Sequence, residues 1–300
     1  MYKKLIILLL VISISQSIPY FDGDIAFSYL KKQCDFGPRY PGSEAHLKLK
    51  DYFISFLEPK VDDLLIHTHT QKHPYNDNDI TLYNILARYN LESKNRILFL
   101  AHWDTRDIAD KESKKINQDK PIMGANDGAS GIAILMVLSE ILNESPLYNI
   151  GVDLLFVDGE DMGRHGEIDN FCLGTKQLTK DVEFPYTKLA ICLDMVADKD
   201  PEFKKEYFSY IQGKNALDDI WSLANELGYK EFNNSLTHPI YDDHRAFYLG
   251  TGIPSINIID FDYPYWHTLD DTIDKCSANT LSIVGSVVTE YIYREDQRNE

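Results

Sequence analysis

Three apolar runs in this chain each end in acid or imidazole, and that shared polarity restricts the fold more than any other feature. RILFLA (96–101) runs into His102 and Asp104, VDLLFV (152–157) into Asp158, Glu160 and Asp161, and LAICL (189–193) into Asp194. Short, nearly continuous apolar runs read as strands buried on both faces, the pattern of parallel strands covered by helices. Helical patterns lie between them, above all ASGIAILMVLSEILN (129–143). The alternation predicts an α/β fold: a single domain with a central mixed, mostly parallel β-sheet flanked by helices. In such sheets ligands gather beyond the carboxyl ends of the strands, so three loaded ends predict one site.

The remaining pattern fills in around this frame. A helix is expected at 43–57, with Ser43 as its N-cap, then strands at 63–71 and 81–90. Further strands are expected at 150–157, 188–194 and 253–259, with helices at 215–228 and 277–293. His67 and His69 alternate and mark one face of a strand. No fixed-period repeat and no Pro- or Gly/Ser-rich linker divides the chain, so residues 18–300 read as one catalytic domain. MYKKLIILLLVISISQS (1–17) has two lysines, an apolar run from Leu5 to Ile14, and small residues at Ser15 and Ser17. This is the pattern of a secretory signal peptide, and it predicts an exported protein. No later stretch is long enough to span a bilayer, so no membrane association is expected after cleavage.

Charge and cysteines narrow the partners. A net charge of −17 leaves no basic face of the kind nucleic-acid binding requires. KESKKINQDK (111–120) reads as a polar surface loop. Export makes disulfides among Cys34, Cys172, Cys192 and Cys276 possible, in three full pairings. Cys192 sits in an apolar segment as a core thiol, and the wide spacing without CxxC argues against a thiolate zinc site. A monomer is expected.

Further candidates fall in loops: Asp127 in MGANDGASG, Asp242, Asp243 and His244 in YDDHRAF, and His267 in YPYWHTLDD. Crowded carboxylates raise one another's pKa, and a divalent cation offsets that repulsion. Histidine nitrogen with carboxylate oxygen, and no thiolate, is a ligand set suited to zinc. Asp158 reads as a turn residue bonding the backbone around Gly159.

AHWD, GANDGASG, FVDGED, LDMV, DDH and YWHTLDDT, in that order, resemble the zinc aminopeptidase and glutaminyl cyclase superfamily, over roughly residues 20–293. The resemblance implies zinc ligands at Asp127, Asp161 and His267 and a general acid/base at Glu160. In the peptidase branch two metals activate a bridging water, with His102 and Asp194 on the second ion. In the cyclase branch one zinc suffices, because the substrate's N-terminal amine attacks its own side-chain amide and releases ammonia. His102 and Asp104 then support the site.

Three features resemble the cyclases. Trp266 precedes His267 in an aromatic run with Phe261, Tyr263 and Tyr265; DDH supplies Asp243; and HWD, GANDGASG and NFCLGTK together are similar to bacterial-type glutaminyl cyclases. The resemblance implies that Asp194 and Asp243 share a proton network with Glu160, that Trp266 packs against the substrate, and that the partners are peptides and proteins with N-terminal glutamine. Two departures stand out: Asp161 where animal cyclases carry glutamate, and Ala197 where related enzymes have a glycine-containing turn. A zinc aminopeptidase is the alternative. A catalytically silent extracytoplasmic binding domain is a third reading, which the presence of every ligand disfavours.

Overall fold

The computed structural model describes residues 17–299; the expected signal segment lies, but for its last residue, outside the described residues. A six-stranded sheet runs in the order β1 (Asp63–Lys72), β2 (Asp79–Tyr89), β4 (Gly151–Val157), β3 (Arg96–His102), β5 (Thr187–Asp194) and β8 (Ser255–Ile259). The four strands from β4 to β8 are parallel, and β2 and β1 extend the sheet antiparallel. The fold is therefore a single α/β domain with a central mixed sheet. β3 and β4 are buried along their whole length, as their unbroken apolar runs require, while the edge strand β1 alternates between exposed and half-buried positions.

Helices cover both faces. On one lie α1 (Gly23–Cys34), α2 (Glu44–Leu57), α3 (Ala129–Glu144) and α7 (Ala278–Arg298), packed on Phe99, Leu154, Ile191 and Ile256. On the other, α4 (Leu173–Asp181) and α6 (Asp243–Thr251) set Leu178 and Phe247 against Leu98, Leu155 and Cys192. The apolar helix α3 lies close over the sheet because Gly131 has no side chain: a Cβ there would stand 2.1 Å from the Leu193 carbonyl oxygen. Ser43 caps α2 as expected, accepting from the His46 amide. All four cysteines are free and buried. Among the described residues no helix is long and apolar enough to cross a membrane.

Several elements differ from the sequence reading. The helix expected at 215–228 is α5 (Tyr207–Glu226), which starts earlier because Glu206 caps it through the Phe208 and Ser209 amides. Non-helical backbone at Gly213 interrupts its first half and hides it from a periodicity search. YDDHRAF is not a loop: Asp242 caps α6, and Asp243 and His244 lie in its first turn. The short α4 has too few apolar residues to show a stripe. A two-stranded parallel ribbon, β6 (Phe203–Lys205) with β7 (Phe232–Leu236), completes the fold.

Candidate metal centre and active site

Strand register brings the loaded ends together. His102, the last residue of β3, pairs with Val157 at the end of β4, and Leu100 pairs with Cys192 two residues before Asp194. The chain leaves β3 for β4 on one side and returns to β5 on the other, so a crevice opens at the carboxyl end of β3. Immediately after β4, Gly159 adopts a left-handed conformation (φ +69°) and turns Glu160 and Asp161 into that crevice. Asp104 grips the turn, one oxygen accepting from the Glu160 amide (3.1 Å) and the other from the Asp161 amide (3.2 Å). It stands among the supports and belongs to neither metal-ligand cluster around Asp127.

Asp127, Asp161 and His267 converge, with one ligand atom from each within 4.8 Å of the others. His267 Nε2 lies 3.2 Å from Asp161 Oδ1 and 3.6 Å from Asp127 Oδ2. Zinc bonds of about 2.0–2.1 Å at tetrahedral angles place neighbouring ligand atoms about 3.3 Å apart, so these spacings fit that ion. Asp127 Oδ2 and Asp161 Oδ2 are buried without a hydrogen-bond partner, a costly arrangement that a cation would relieve. Asp127 is held from behind by Asp271, which accepts from the Asn126 (2.8 Å) and Asp127 (3.2 Å) amides. The reach of the short Asp161 side chain is set by its backbone, gripped by Asp104 and by Arg106, which donates to both the carbonyl (3.2 Å) and Oδ1 (2.8 Å).

A second cluster shares Asp127. His102 Nε2 lies 3.1 Å from Asp127 Oδ1 and 3.3 Å from Asp194 Oδ1, while its Nδ1 faces Asp104 at 3.5 Å. Burial would lower the His102 pKa, but the surrounding carboxylates Asp104, Asp127 and Asp194 outweigh it and raise it well above its usual value. Asp194 is pushed up to about 7 by burial, against the opposing His102 hydrogen bond.

Glu160 and Asp161, adjacent in sequence, have opposite electrostatics. Burial pushes the Glu160 carboxyl well up; His102 opposes this, and Asp242 and Asp161 add to it. Burial would raise Asp161 too, but His267 and Arg106 outweigh it and hold that group at about 2. Cys172 donates its thiol to Glu160 Oε1 at 3.3 Å. Glu160 therefore suits a proton carrier and Asp161 a permanent anion.

Asp127, Glu160, Asp161, Asp194 and His267 line a pocket of about 190 Å³, below the roughly 300–1,000 Å³ usual for drug-sized ligands. Its walls are largely apolar: Ile168, Phe171, Ile240, Ile259, Phe261 and Trp266. The Trp266 ring stacks on His267 with centroids 3.9 Å apart and touches Phe261 at 4.9 Å. Cys172, Met195 and His267 hold left-handed backbone at φ +54°, +48° and +58°, the kind of local strain that clusters at functional sites.

One candidate moves. The acid on the pocket wall is Asp242, not Asp243. Asp242 has a carboxylate oxygen within 4.8 Å of a Glu160 oxygen and is fixed by Asn257 Nδ2. Asp243 is fully buried, and neither of its oxygens accepts a well-formed hydrogen bond, although the Thr175 hydroxyl lies close enough to oppose the rise in its pKa. The cause is the helix: capping α6 turns Asp242 inward, whereas a loop reading leaves the choice between neighbours open. Asp158 is not a local turn residue either. It accepts from His46 Nε2 (2.8 Å) and the Tyr83 amide (2.7 Å), tying α2 and β2 to the catalytic turn. Sequence reasoning also missed Arg106, Asp110, Cys172 and Asp271. The one visible signal was Arg106, a cation set between Asp104, Asp107 and Asp110 in a stretch that follows a loaded strand.

Comparison with known proteins agrees with this geometry. The profile of peptidase family M28 matches residues 84–292. The crystal structure of Tannerella forsythia glutaminyl cyclase superposes with a TM-score of 0.88 at 33% identity, covering 92% of this chain and 99% of that one. A Zn-dependent exopeptidase from Parabacteroides distasonis gives the same TM-score and coverages at 32% identity. Aminopeptidase YwaD of Bacillus subtilis is 26% identical over 183 residues, 57% of this chain and 37% of that protein. The chain spans between about a third and about half of the length of the curated relatives it matches. The resemblance first read from six short motifs is borne out over the whole fold.

Proposed function

Because the chain belongs to peptidase family M28 and carries that family's zinc-type ligand set, we propose that it is a glutaminyl-peptide cyclotransferase, an acyl-transferring enzyme that converts N-terminal glutamine to pyroglutamate. The observation that carries this reading is the pocket: small, largely apolar-walled, with Trp266 stacked on His267 and Glu160 in its lining. It has room for one terminal side chain folding back on its own amine and gives little space to water.

Asp127, Asp161 and His267 would hold one zinc ion per chain. Bound there, zinc supplies Lewis acidity toward the γ-carbonyl of the substrate. Glu160 takes a proton from the attacking α-amine as the new C–N bond forms, and returns a proton to the departing ammonia as the carboxamide C–N bond breaks. An α-amine pKa of about 7.7–8.0 leaves a sizeable neutral fraction near neutrality, so this base has a modest task. Asp194 and Asp242 flank the proton path and favour the protonated form of Glu160 between the two transfers. Trp266 and Phe261 pack on the substrate and hold amine and carbonyl near attack distance, where orientation supplies several kcal/mol. The substrates would be peptides and proteins with N-terminal glutamine, met outside the cytoplasm by a monomer released from its signal segment.

The His102–Asp127–Asp194 cluster favours a second reading, a two-metal aminopeptidase. Incubation with a Gln-initiated and a Leu-initiated peptide, followed by mass analysis, separates them. Loss of one ammonia from the first peptide alone is expected; release of free leucine from the second would overturn the cyclase assignment.

A further inference from the structure

The segment that follows Asp104 does more than bound the pocket. Arg106 is fully buried and its guanidinium reaches two carboxylates: Nη1 donates to Asp161 Oδ1 at 2.8 Å, while Nε and Nη2 grip Asp110 at 2.9 and 2.8 Å. Asp110 Oδ1 in turn faces His267 Nδ1 at 3.4 Å, and His267 Nε2 faces Asp161 Oδ1 at 3.2 Å. The four side chains close a ring, Arg106–Asp161–His267–Asp110. Two further bonds lock the same segments together: the Lys111 amide donates to the His267 carbonyl (3.2 Å), and the Leu269 amide to the Glu112 side chain at Oε1 (3.1 Å).

We propose that Arg106 and Asp110 are positioning residues for the metal, presetting two of its three ligands before it binds. Asp110 faces His267 Nδ1 and so turns the opposite ring nitrogen, Nε2, toward Asp161 and Asp127. Arg106 holds the Asp161 carboxylate through Oδ1 and so fixes its rotation, while Oδ2 has no partner. The planar fork matters as much as the charge, because one guanidinium must satisfy both acids at once. The inference rests on Asp127, Asp161 and His267 being zinc ligands, and not on which reaction follows.

The test is zinc affinity of the full-length mature protein, measured by competition with a chromogenic chelator for wild type, Arg106→Lys, Arg106→Gln and Asp110→Asn. Partners that orient a ligand typically contribute about 10–100-fold in metal affinity, and a loss of that size is expected in all three variants. Arg106→Lys should fall with the others, since it keeps the charge but loses the fork. Cobalt(II) in place of zinc adds a spectroscopic readout: altered visible bands in Asp110→Asn report a changed ligand geometry, which a merely structural defect elsewhere would not produce. If Arg106→Gln fails to fold, Asp110→Asn decides. Variants that hold zinc within twofold of wild type, with an unchanged cobalt spectrum, would overturn the proposal alone. A wild-type protein that binds no zinc would overturn the ligand assignment beneath it.

Discussion

Two histidine–carboxylate clusters meet at Asp127, and they are built differently. On the His267 side a buried arginine neutralises Asp161, and Asp161 stays ionised to about 2. On the His102 side, among the described residues, no arginine or lysine pairs with Asp194, whose pKa rises to about 7. One half is a fixed set of ligands prepared for a cation. In the other, His102 Nε2 lies between two acids, 3.1 Å from Asp127 and 3.3 Å from Asp194. The asymmetry gives the two clusters separate tests.

The comparison breaks most visibly at the adjacent pair Glu160 and Asp161. Glu160→Gln should lower turnover by roughly 10²–10⁴-fold, the usual share of a general acid/base, and keep its zinc. Asp161→Asn should lose the zinc itself, because it removes the charge of a ligand whose Oδ2 has no other partner. Zinc content by atomic emission decides between them: equal metal loss in both variants would erase the division of labour. The next test probes the other half. His102→Ala should keep the zinc count of wild type while turnover falls roughly 10–100-fold, as for outer groups that orient a site. A count that drops by one ion would place a second metal on His102 and return the chain to the peptidase reading.

The asymmetry also explains what could be seen in advance. The three strand ends and the run ASGIAILMVLSEILN stood out because strands buried on both faces and a helix buried on nearly all sides must be written in continuous apolar residues. The ligands stood out because carboxylate next to imidazole is chemically odd. What supports them was hidden. Arg106 and Asp110 look like any charged loop until the fold closes that loop over His267. The choice of Asp242 over Asp243 depended on a helix start that a nine-residue element barely signals. His46 pairs with Asp158 across 112 residues of chain, a distance no local pattern spans.

The smallest effect concerns stability, and it tests the His102 half without any assay of turnover. Asp194 has a folded pKa near 7 against about 3.9 when unfolded, so the fold favours its neutral form. Below about pH 4 the group is protonated in both states and costs nothing. As pH rises toward 7 the unfolded chain releases a proton that the folded one retains, and stability is lost over that window. Asp194→Asn removes this penalty but also weakens the hydrogen bond to His102. Metal-free Asp194→Asn should therefore be more stable than wild type by about 1–2 kcal/mol at pH 8, below the roughly 4 kcal/mol that three units alone would give, and the gap should close by pH 4. Thermal melts at the two pH values measure it. Repeating them with one equivalent of zinc and then with excess sharpens the contrast between the clusters. A zinc ion on the His267 side alone offsets the Asp127 charge beside Asp194 and narrows the gap, but leaves the Asp194→Asn protein the more stable at pH 8. A second ion on Asp194 would hold it ionised in wild type and reverse the order of the two proteins at pH 8.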